Sequence, residues 1–358
     1  MKNLKLIALV SAFLIVGSVI EAESLGAAEY TNGRIRLVLH ENTGRYSLYF
    51  LTNTNGAQYE PFFVDQDPRT SFLTLLQNDR AYRLGEASSF KVRIGGTPAQ
   101  PALIFESPAL LVTQEFSFIC TYGSALCNGV RIRIRIENRG DQVSAGLRLL
   151  LDTSLGEGRE PGAPSFITET QQISSETLMD GSGADRWWIS RNDHLGLMGS
   201  ISGEDLSSSP DFIHFANWKR FNDTPWKLSY EPGRNFNFPP YSIGDSAVCY
   251  YFEPRVLRWG ESRIISLILA AEDVNGFAMI RNAPVDQVTR PVQQSPASGA
   301  AQGIQSAART DIIRTDLAVL RDLISKMDQY ILYDTPISDE ELAAMERRIA
   351  QLKARYGL

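Results

Sequence analysis

Hydrophobic and polar residues alternate with a period of two along most of the chain, which is the pattern of β-strands. The clearest stretch covers residues 130–136, in which four β-branched residues alternate with three arginines. A strand there places the β-branched side chains in a core and the guanidinium groups in water. Residues 137–142 have turn composition, and residues 143–151 are almost continuously hydrophobic. We therefore predict an antiparallel hairpin whose second strand is buried on both faces.

Gly, Asn, Asp and Pro divide the rest of the pattern into short segments. A first hairpin is predicted from residues 33–40 and 45–51, around a turn that contains Asn42 and Gly44. Further strands are predicted at 70–76, 89–94, 102–105, 110–119, 187–190, 195–201, 247–251 and 264–271. No sustained helical period occurs between residues 30 and 273, and strands do not alternate with helices. The fold class is therefore mainly all-β, a large antiparallel sandwich with two large sheets.

Residues 202–244 have less regular pattern and many Trp, Tyr and Pro residues, which predicts a long excursion over the sandwich. Its aromatic side chains either bind a ligand or seal one end of the sandwich. The candidate ligand-binding residues are Trp188, Trp218, Trp226, Tyr230 and Asp152. Trp187 and Trp188 are neighbours on a predicted strand and point to opposite faces, so at most one belongs to any single platform.

The C-terminal part changes both composition and period. Residues 284–308 are rich in Pro, Ser, Gln and Ala and predict a linker. Residues 309–358 carry two heptad-like seams, which predict a helical hairpin that binds a partner or forms a homo-oligomer. The seam residues proposed for this contact are Leu317, Leu320, Ile324, Met327, Ile331, Leu342, Met345, Ile349 and Leu352. Packing of the hairpin on a face of its own sandwich is the alternative.

The N-terminal residues 1–28 have the features of an export signal. Lys2 and Lys5 precede an apolar stretch at 6–20, and Ala22 and Ala28 are possible cleavage points. Cleavage gives a periplasmic or secreted protein without a transmembrane segment, and an uncleaved anchor is the alternative. The predicted organisation is a signal at 1–28, a sandwich at 29–283, a linker at 284–308 and a helical hairpin at 309–358.

Composition and charge narrow the range of partners. The chain has 358 residues, of which 43% are hydrophobic and 21% charged, and its formal net charge is -6. This acidic balance argues against nucleic acid as a partner. Export makes a disulfide between Cys120 and Cys127 possible, and two buried thiols are the alternative. Cys249 lies in an apolar run and is predicted to be buried and unpaired.

The residues with catalytic or metal-binding chemistry form no specific motif. The three histidines lack a second ligand at metal spacing, and no nucleophile elbow, phosphate loop or dinucleotide fingerprint occurs. We therefore expect no cofactor and no metal. The candidates for glycoside chemistry are the carboxylates of Asp152, Glu157, Asp185 and Asp245. For Asp152, capping of the turn that follows its strand is the alternative role.

One short stretch resembles a known family. Residues 32–37 and 44–48 are similar to the first hairpin of galactose-mutarotase-like supersandwich domains, which occur in carbohydrate-active enzymes and as accessory domains. The resemblance covers under a tenth of the chain, which is about the length of one hairpin. It implies an architecture only, because no position here matches the catalytic His and Glu of that family.

These observations favour an exported, bacterial-type envelope protein with a non-catalytic binding or scaffolding role. In this interpretation the sandwich binds an envelope protein or a glycan, and the helical hairpin mediates assembly. The first alternative is a carbohydrate-active enzyme of the mutarotase or glycosidase type on the same sandwich. The second is a purely structural periplasmic component. A convergent pair of acidic groups would distinguish the enzyme from the other two.

Overall fold

The structure is a computed structural model that describes residues 26–53, 58–64, 68–121, 126–157, 163–203, 206–273, 276–277, 281–282 and 347. Most of the predicted signal (1–28) lies outside these ranges. The predicted linker (284–308) and, apart from Arg347, the predicted helical hairpin (309–358) also lie outside them. No helix in the described ranges is long and apolar enough to cross a membrane.

The described strands form three antiparallel sheets, numbered here in chain order. A four-stranded sheet contains β1 (Ala27–Asn32), β2 (Ile35–His40), β3 (Arg45–Asn53) and β4 (Gln58–Pro61). A ten-stranded sheet contains, in spatial order, β13 (Gln172–Ile173), β12 (Phe166–Thr168), β15 (Trp187–Arg191), β16 (Gly196–Ser200), β19 (Ser262–Ala271), β10 (Gly129–Asn138), β9 (Leu110–Cys120), β8 (Gln100–Glu106) and β7 (Lys91–Thr97), with β20 (Arg281–Asn282) also paired to β9. A six-stranded sheet contains β14 (Thr177–Asp180), β17 (Phe212–Asn217), β18 (Ser246–Leu257), β11 (Val143–Asp152), β5 (Phe72–Gln77) and β6 (Arg80–Arg83).

The ten-stranded and six-stranded sheets enclose the main core. Ile134 of β10, Leu149 of β11 and Leu267 of β19 are buried in one continuous apolar cluster. Trp188 and Tyr250 join the sheets through a hydrogen bond of 2.5 Å from the indole Nε1 to the phenol oxygen. The mainly all-β prediction is therefore confirmed. The α-helix of the sandwich, α1 (Trp218–Asp223), has only six residues, and a 3₁₀ helix covers Pro68–Thr70.

The predicted first hairpin is confirmed, because β2 and β3 pair from Ile35 and Phe50 to His40 and Arg45. Gly44 in the connecting turn has a φ of 62°, which a glycine adopts without strain. The prediction of two sheets is wrong, since this hairpin belongs to the separate four-stranded sheet. The extra sheet was hidden because its alternation of burial is the same as that of a strand in the main sandwich.

The predicted hairpin at 130–151 is wrong, although both of its strands exist. β10 pairs with β9 and β19 in the ten-stranded sheet, whereas β11 pairs with β5 and β18 in the six-stranded sheet. Asn138 explains the crossing, because its buried Nδ2 donates to Asp141 O at 2.8 Å and to Leu257 O at 2.9 Å. These bonds fasten the connection to the end of β18, so the chain passes from one sheet to the other. The burial of β11 on both faces and the exposure of Arg133 and Arg135 are as predicted.

The predicted excursion at 202–244 contains a strand that the pattern missed. β17 lies inside the six-stranded sheet, between β14 and β18. The following segment covers the outer face of that sheet. There Arg148 of β11 is buried, and its guanidinium donates to Phe221 O at 2.7 Å and to Thr224 O at 2.6 Å.

The cysteines lie where the apolar pattern places them, in the core. The sulfur atoms of Cys120 and Cys127 are buried and 2.8 Å apart, so the fold brings this pair together. Both are thiols in the structure, and the disulfide between them stays a prediction. Cys249 is buried and forms no disulfide, and its sulfur accepts a hydrogen bond of 3.2 Å from Arg148 Nε.

Candidate active site

Three carboxyl groups meet at one end of the six-stranded sheet. Asp152 is the last residue of β11, and Asp245 directly precedes β18. These strands are antiparallel neighbours in which Asp152 pairs with Ala247, so the end of one lies beside the start of the other. Glu157 follows β11 in a turn closed by a hydrogen bond of 3.1 Å from its N–H to Ser154 O. One carboxyl oxygen from each of the three residues lies within 4.8 Å of the others.

Short polar residues hold two of these carboxyl groups in place. The backbone N–H of Asp152 donates to Ser71 Oγ at 2.9 Å, and its carboxyl group is hydrogen-bonded to the Thr70 side chain. Glu157 Oε1 accepts the backbone N–H of Ser246, the first residue of β18, at 2.7 Å. Glu157 is therefore held by the backbone of β18. Asp152 is held by the two residues that directly precede β5.

Asn217 positions the third carboxyl group. Its side chain caps α1 by accepting from Arg220 N at 3.2 Å. Its Nδ2 donates to Ser242 Oγ and to Asp245 O, both at 3.0 Å. The Ser242 side chain is in turn hydrogen-bonded to the Asp245 carboxyl group. One asparagine thus ties the helix start to the loop that carries Asp245.

Burial changes the acidity of the whole cluster. Burial, together with the nearby charge of Asp245, raises the pKa of Asp152 to about 7. Burial also raises the pKa of Glu157 to about 8, with contributions from the charges of Asp152 and Asp245. The pKa of Asp245 is raised by burial as well. Within the described ranges, the interactions that set these pKa values include no cationic side chain.

This arrangement can hold and transfer protons near neutral pH. Carboxyl groups this close do not all ionise together, so at least one retains a proton while another is an anion. Asp152 is 4% exposed, whereas Glu157 and Asp245 are partly exposed and can reach a ligand. The same three oxygens have a spacing that suits a divalent cation, although their raised pKa values favour protons in its absence.

An exposed aromatic side chain lies in the loop that carries Asp245. Tyr241 is 69% exposed, and its ring stacks on Phe238 with the centroids 5.7 Å apart. The Lys219 ammonium lies 5.5 Å from the same ring. Hydrogen bonds from Phe238 N to Ser242 O and from Tyr241 N to Phe238 O close this loop. The exposed part of the Tyr241 ring is a surface that a sugar ring can contact.

The structure brings three of the four predicted carboxylates together and separates the fourth. Asp185 is buried elsewhere, where its carboxyl oxygens accept from Thr170 N at 2.8 Å and from Thr170 Oγ1 at 2.9 Å. It stabilises a turn and takes no part in the cluster. Asp152 belongs to the cluster and ends its strand, and its alternative role as a cap of the following turn stays a prediction.

The predicted aromatic platform is not formed as a unit. Trp188 is fully buried between the two large sheets, so no ligand can stack on it, and its assignment as a ligand-binding residue is wrong. Trp226 packs edge-on against Tyr251 and covers the outer face of the six-stranded sheet. Tyr230 is 42% exposed and packs edge-on against His214. Trp218 contacts a residue that holds the cluster, since its Nε1 donates to Thr70 O at 2.9 Å and the Thr70 side chain is hydrogen-bonded to Asp152.

Several residues that build the site carried no signal in the sequence. Thr70, Asn217, Ser242 and Ser246 are ordinary polar residues at ends of elements, and only their contacts reveal a function. Asn217 had one usable signal, because an asparagine before the run Trp218–Phe221 is a preferred helix start. Tyr241 was indistinguishable from the other aromatic residues of the 202–244 segment.

A second group of polar side chains is buried below the covering segment. His214 Nε2 lies 3.0 Å from Glu176 Oε1, and Arg220 pairs with Glu176 and, at 2.6 Å, with Glu231. Burial lowers the pKa of His214, which favours the neutral ring. Because His214 and Glu176 are each about 1% exposed, we interpret this group as a structural link between β17, α1 and the covering segment.

Comparisons with known proteins give similarity at the level of structure. No protein-family model matches the chain, and no curated protein sequence matches it. A galactose mutarotase related enzyme from Lactobacillus acidophilus is similar over 71% of this chain and 100% of its own, with a TM-score of 0.42 and 9% identity. A proposed aldose 1-epimerase from Escherichia coli K12 is similar over 69% of this chain and 99% of its own, with a TM-score of 0.40 and 11% identity.

A longer protein is also similar over part of its length. The 4-alpha-glucanotransferase from Thermococcus litoralis matches over 70% of this chain and 38% of its own, with a TM-score of 0.37 and 8% identity. The weak resemblance to galactose-mutarotase-like domains, first visible in the β2–β3 hairpin, is thus confirmed.

Proposed function

We propose that the protein is a carbohydrate-active enzyme whose acidic groups act at the anomeric carbon of a sugar. The observation that supports this is the convergence of Asp152, Glu157 and Asp245, whose carboxyl oxygens lie within 4.8 Å of one another. The pKa values of about 7 and about 8 for Asp152 and Glu157 suit proton transfer near neutral pH. This replaces the non-catalytic role favoured by the sequence with its first alternative.

Each group has a distinct role in the proposed reaction. Glu157 retains its proton at neutral pH and is partly exposed, so it is the general acid that protonates the oxygen leaving the anomeric carbon. Asp245 is partly exposed and supplies the carboxylate that attacks or stabilises the opposite side of that carbon. Asp152 is buried behind them, and its protonation is coupled to that of the other two carboxyl groups.

The spacing of the carboxyl groups predicts the stereochemical outcome. Inverting glycosidases separate their two carboxyl groups by roughly 6.5–9.5 Å to admit a water, whereas retaining enzymes use about 5–5.5 Å. Oxygens within 4.8 Å of one another are closer to the retaining spacing than to the inverting one. We therefore expect retention of configuration in any glycosyl transfer or hydrolysis.

The charge of the site favours a neutral saccharide as the substrate. Three carboxyl groups without a cation in the interactions that set their pKa values repel an anionic sugar. Sugar hydroxyl groups can donate to these oxygens, and the exposed Tyr241 ring can stack on a sugar face. The envelope location predicted from residues 1–28 remains part of this proposal.

The test is a panel of neutral mono- and oligosaccharides followed by proton NMR, which detects both bond cleavage and the anomeric configuration of products. We expect turnover with retention, and its loss by roughly a hundredfold or more in Glu157→Gln and Asp245→Asn. Glu29→Gln and Asp141→Asn replace exposed carboxylates that do not belong to the cluster and should retain activity. Saccharide binding without turnover in the parent protein would instead support a glycan-binding module, and full activity of Glu157→Gln would exclude the assigned roles.

A further inference from the structure

The turn that connects β18 of the six-stranded sheet to β19 of the ten-stranded sheet presents a tryptophan at its tip. Trp259 is 76% exposed, and Val256 beside it is 59% exposed. Glu261 N donates to Arg258 O at 3.0 Å, and Gly260 has a φ of 77°, which is the geometry of a type II turn. Trp259 occupies the first corner of this turn, and its indole is exposed beyond the ends of β18 and β19.

The tip is held rigidly by its neighbours. Gly260 N donates to Asn138 O at 2.9 Å, and Asn138 N donates to Glu261 O at 2.9 Å. Leu257, immediately before the turn, is 6% exposed and packs in the main core. The turn is thereby fastened to the end of β10, and little conformational freedom remains to be lost when Trp259 contacts a partner.

Two cationic side chains flank the exposed apolar pair. Arg255 and Arg258 are both exposed, and within the described ranges neither guanidinium has a carboxylate partner. The nearest acidic residue in the turn, Glu261, is engaged with the backbone, because its Oε2 accepts the N–H of Arg258 at 2.7 Å. The tip therefore combines an indole, an isopropyl group and two guanidinium groups, and with the charge of Glu261 it has a formal net charge of +1.

We propose that this tip, Arg255 to Gly260, contacts the surface of an anionic lipid bilayer. Sites for small ligands are concave, whereas this surface is convex and suits a deformable partner into which side chains can insert. Tryptophan prefers the boundary between headgroups and acyl chains, where its ring is apolar and its N–H remains hydrated. Arg255 and Arg258 complement the negative headgroups, and each is expected to strengthen binding roughly fivefold.

The test uses the full chain with vesicles of phosphatidylcholine alone or mixed with phosphatidylglycerol, and brominated lipids that quench indoles at the interface. We expect quenching with the anionic vesicles, its loss in Trp259→Ala, and a fall in partitioning of roughly tenfold for that variant. The double change Arg255→Gln with Arg258→Gln should weaken binding to anionic vesicles by roughly twenty-five-fold. Tyr241→Ala and Arg93→Gln, which alter an exposed ring and an exposed arginine elsewhere, should bind as the parent does.

Three results would overturn the proposal. The first is absence of lipid quenching in the parent protein, and the second is quenching that persists unchanged in Trp259→Ala. The third is equal binding to neutral and anionic vesicles, since the arginines would then have no role. Unfolding transitions that match the parent's confirm that the variants are folded, as expected for substitutions at exposed positions.

Discussion

The raised pKa of Asp152 makes the free energy of unfolding depend on pH. The carboxylate cluster can therefore be tested without a substrate. Burial raises its pKa from an ordinary 3.8 to about 7 in the folded protein. Between these two pH values the unfolded chain has released a proton that the folded protein still holds. The free energy of unfolding therefore decreases as pH rises through this window, and it levels off above the folded pKa.

The magnitude follows from the size of the shift. A shift of about three units corresponds to roughly 4 kcal/mol at pH values above the folded pKa. The neighbouring carboxyl groups titrate together with Asp152, so we assign about half of this, roughly 2 kcal/mol, to this residue. Asp152→Asn removes the ionisation and leaves an oxygen that can accept from Thr70. About two thirds of the interval from pH 3.8 to about 7 lies above pH 5, so the variant should gain roughly 1.3 kcal/mol of stability relative to the parent between about pH 5 and about pH 8.

Urea unfolding of both proteins at the two pH values measures this difference, provided that the slope with denaturant is unchanged. Asp141→Asn is the matched control, because Asp141 is exposed in the connection between β10 and β11. Its difference from the parent should not vary with pH. A variant Asp152→Asn that is less stable than the parent at the higher pH would refute the reasoning, because the buried carboxylate would then be stabilised as an anion, for example by a bound cation.

Four further outcomes are expected. Turnover should fall as pH rises through about 8, where Glu157 loses the proton it donates, and a pH profile of kcat measures this. Tyr241→Ala should raise KM by roughly two- to tenfold with little change in kcat, whereas Tyr241→Phe should not, since the ring does the stacking. Non-reducing peptide mapping of the exported protein should show Cys120 linked to Cys127, and reduction should lower the free energy of unfolding by about 2 kcal/mol. Arg148→Ala should lower it by roughly 3 kcal/mol, measured by urea unfolding, because Phe221 O and Thr224 O lose their donor.

Local periodicity was sufficient to find most strands of the sandwich, because alternation depends only on which side of a sheet each residue faces. It could not show which strands pair, and residues 130–151 illustrate why. Both segments had the composition of strands, and the turn between them was compatible with either a hairpin or a crossing between sheets. The deciding contacts come from Asn138, whose partner Leu257 is far along the chain. β17 was missed for a related reason, since the polar residue His214 interrupts its apolar pattern and its hydrogen-bond partner, Glu176, is 38 residues away.

The carboxylates of the site could be named from the sequence, but not their convergence. Asp152, Glu157, Asp185 and Asp245 were equivalent as acidic residues near turns. The pairing of β11 with β18 selects three of them, because it places the end of one strand against the start of the other. Asp185 instead accepts two hydrogen bonds from Thr170. The pairing of strands that are distant in sequence therefore determined which acidic residues form the carboxylate cluster.

The two proposed surfaces lie at opposite ends of the same strand, and this constrains the substrate. β18 begins beside Asp245 and ends just before the turn that carries Trp259. Its 12 residues span about 36 Å. A bilayer touched by Trp259 would thus lie on the far side of the sandwich from the carboxyl groups, beyond the reach of a membrane-bound headgroup. The enzyme would then act on saccharides that extend away from the membrane, so soluble oligosaccharides should be turned over equally well with and without anionic vesicles, whereas glycolipids embedded in those vesicles should not be substrates.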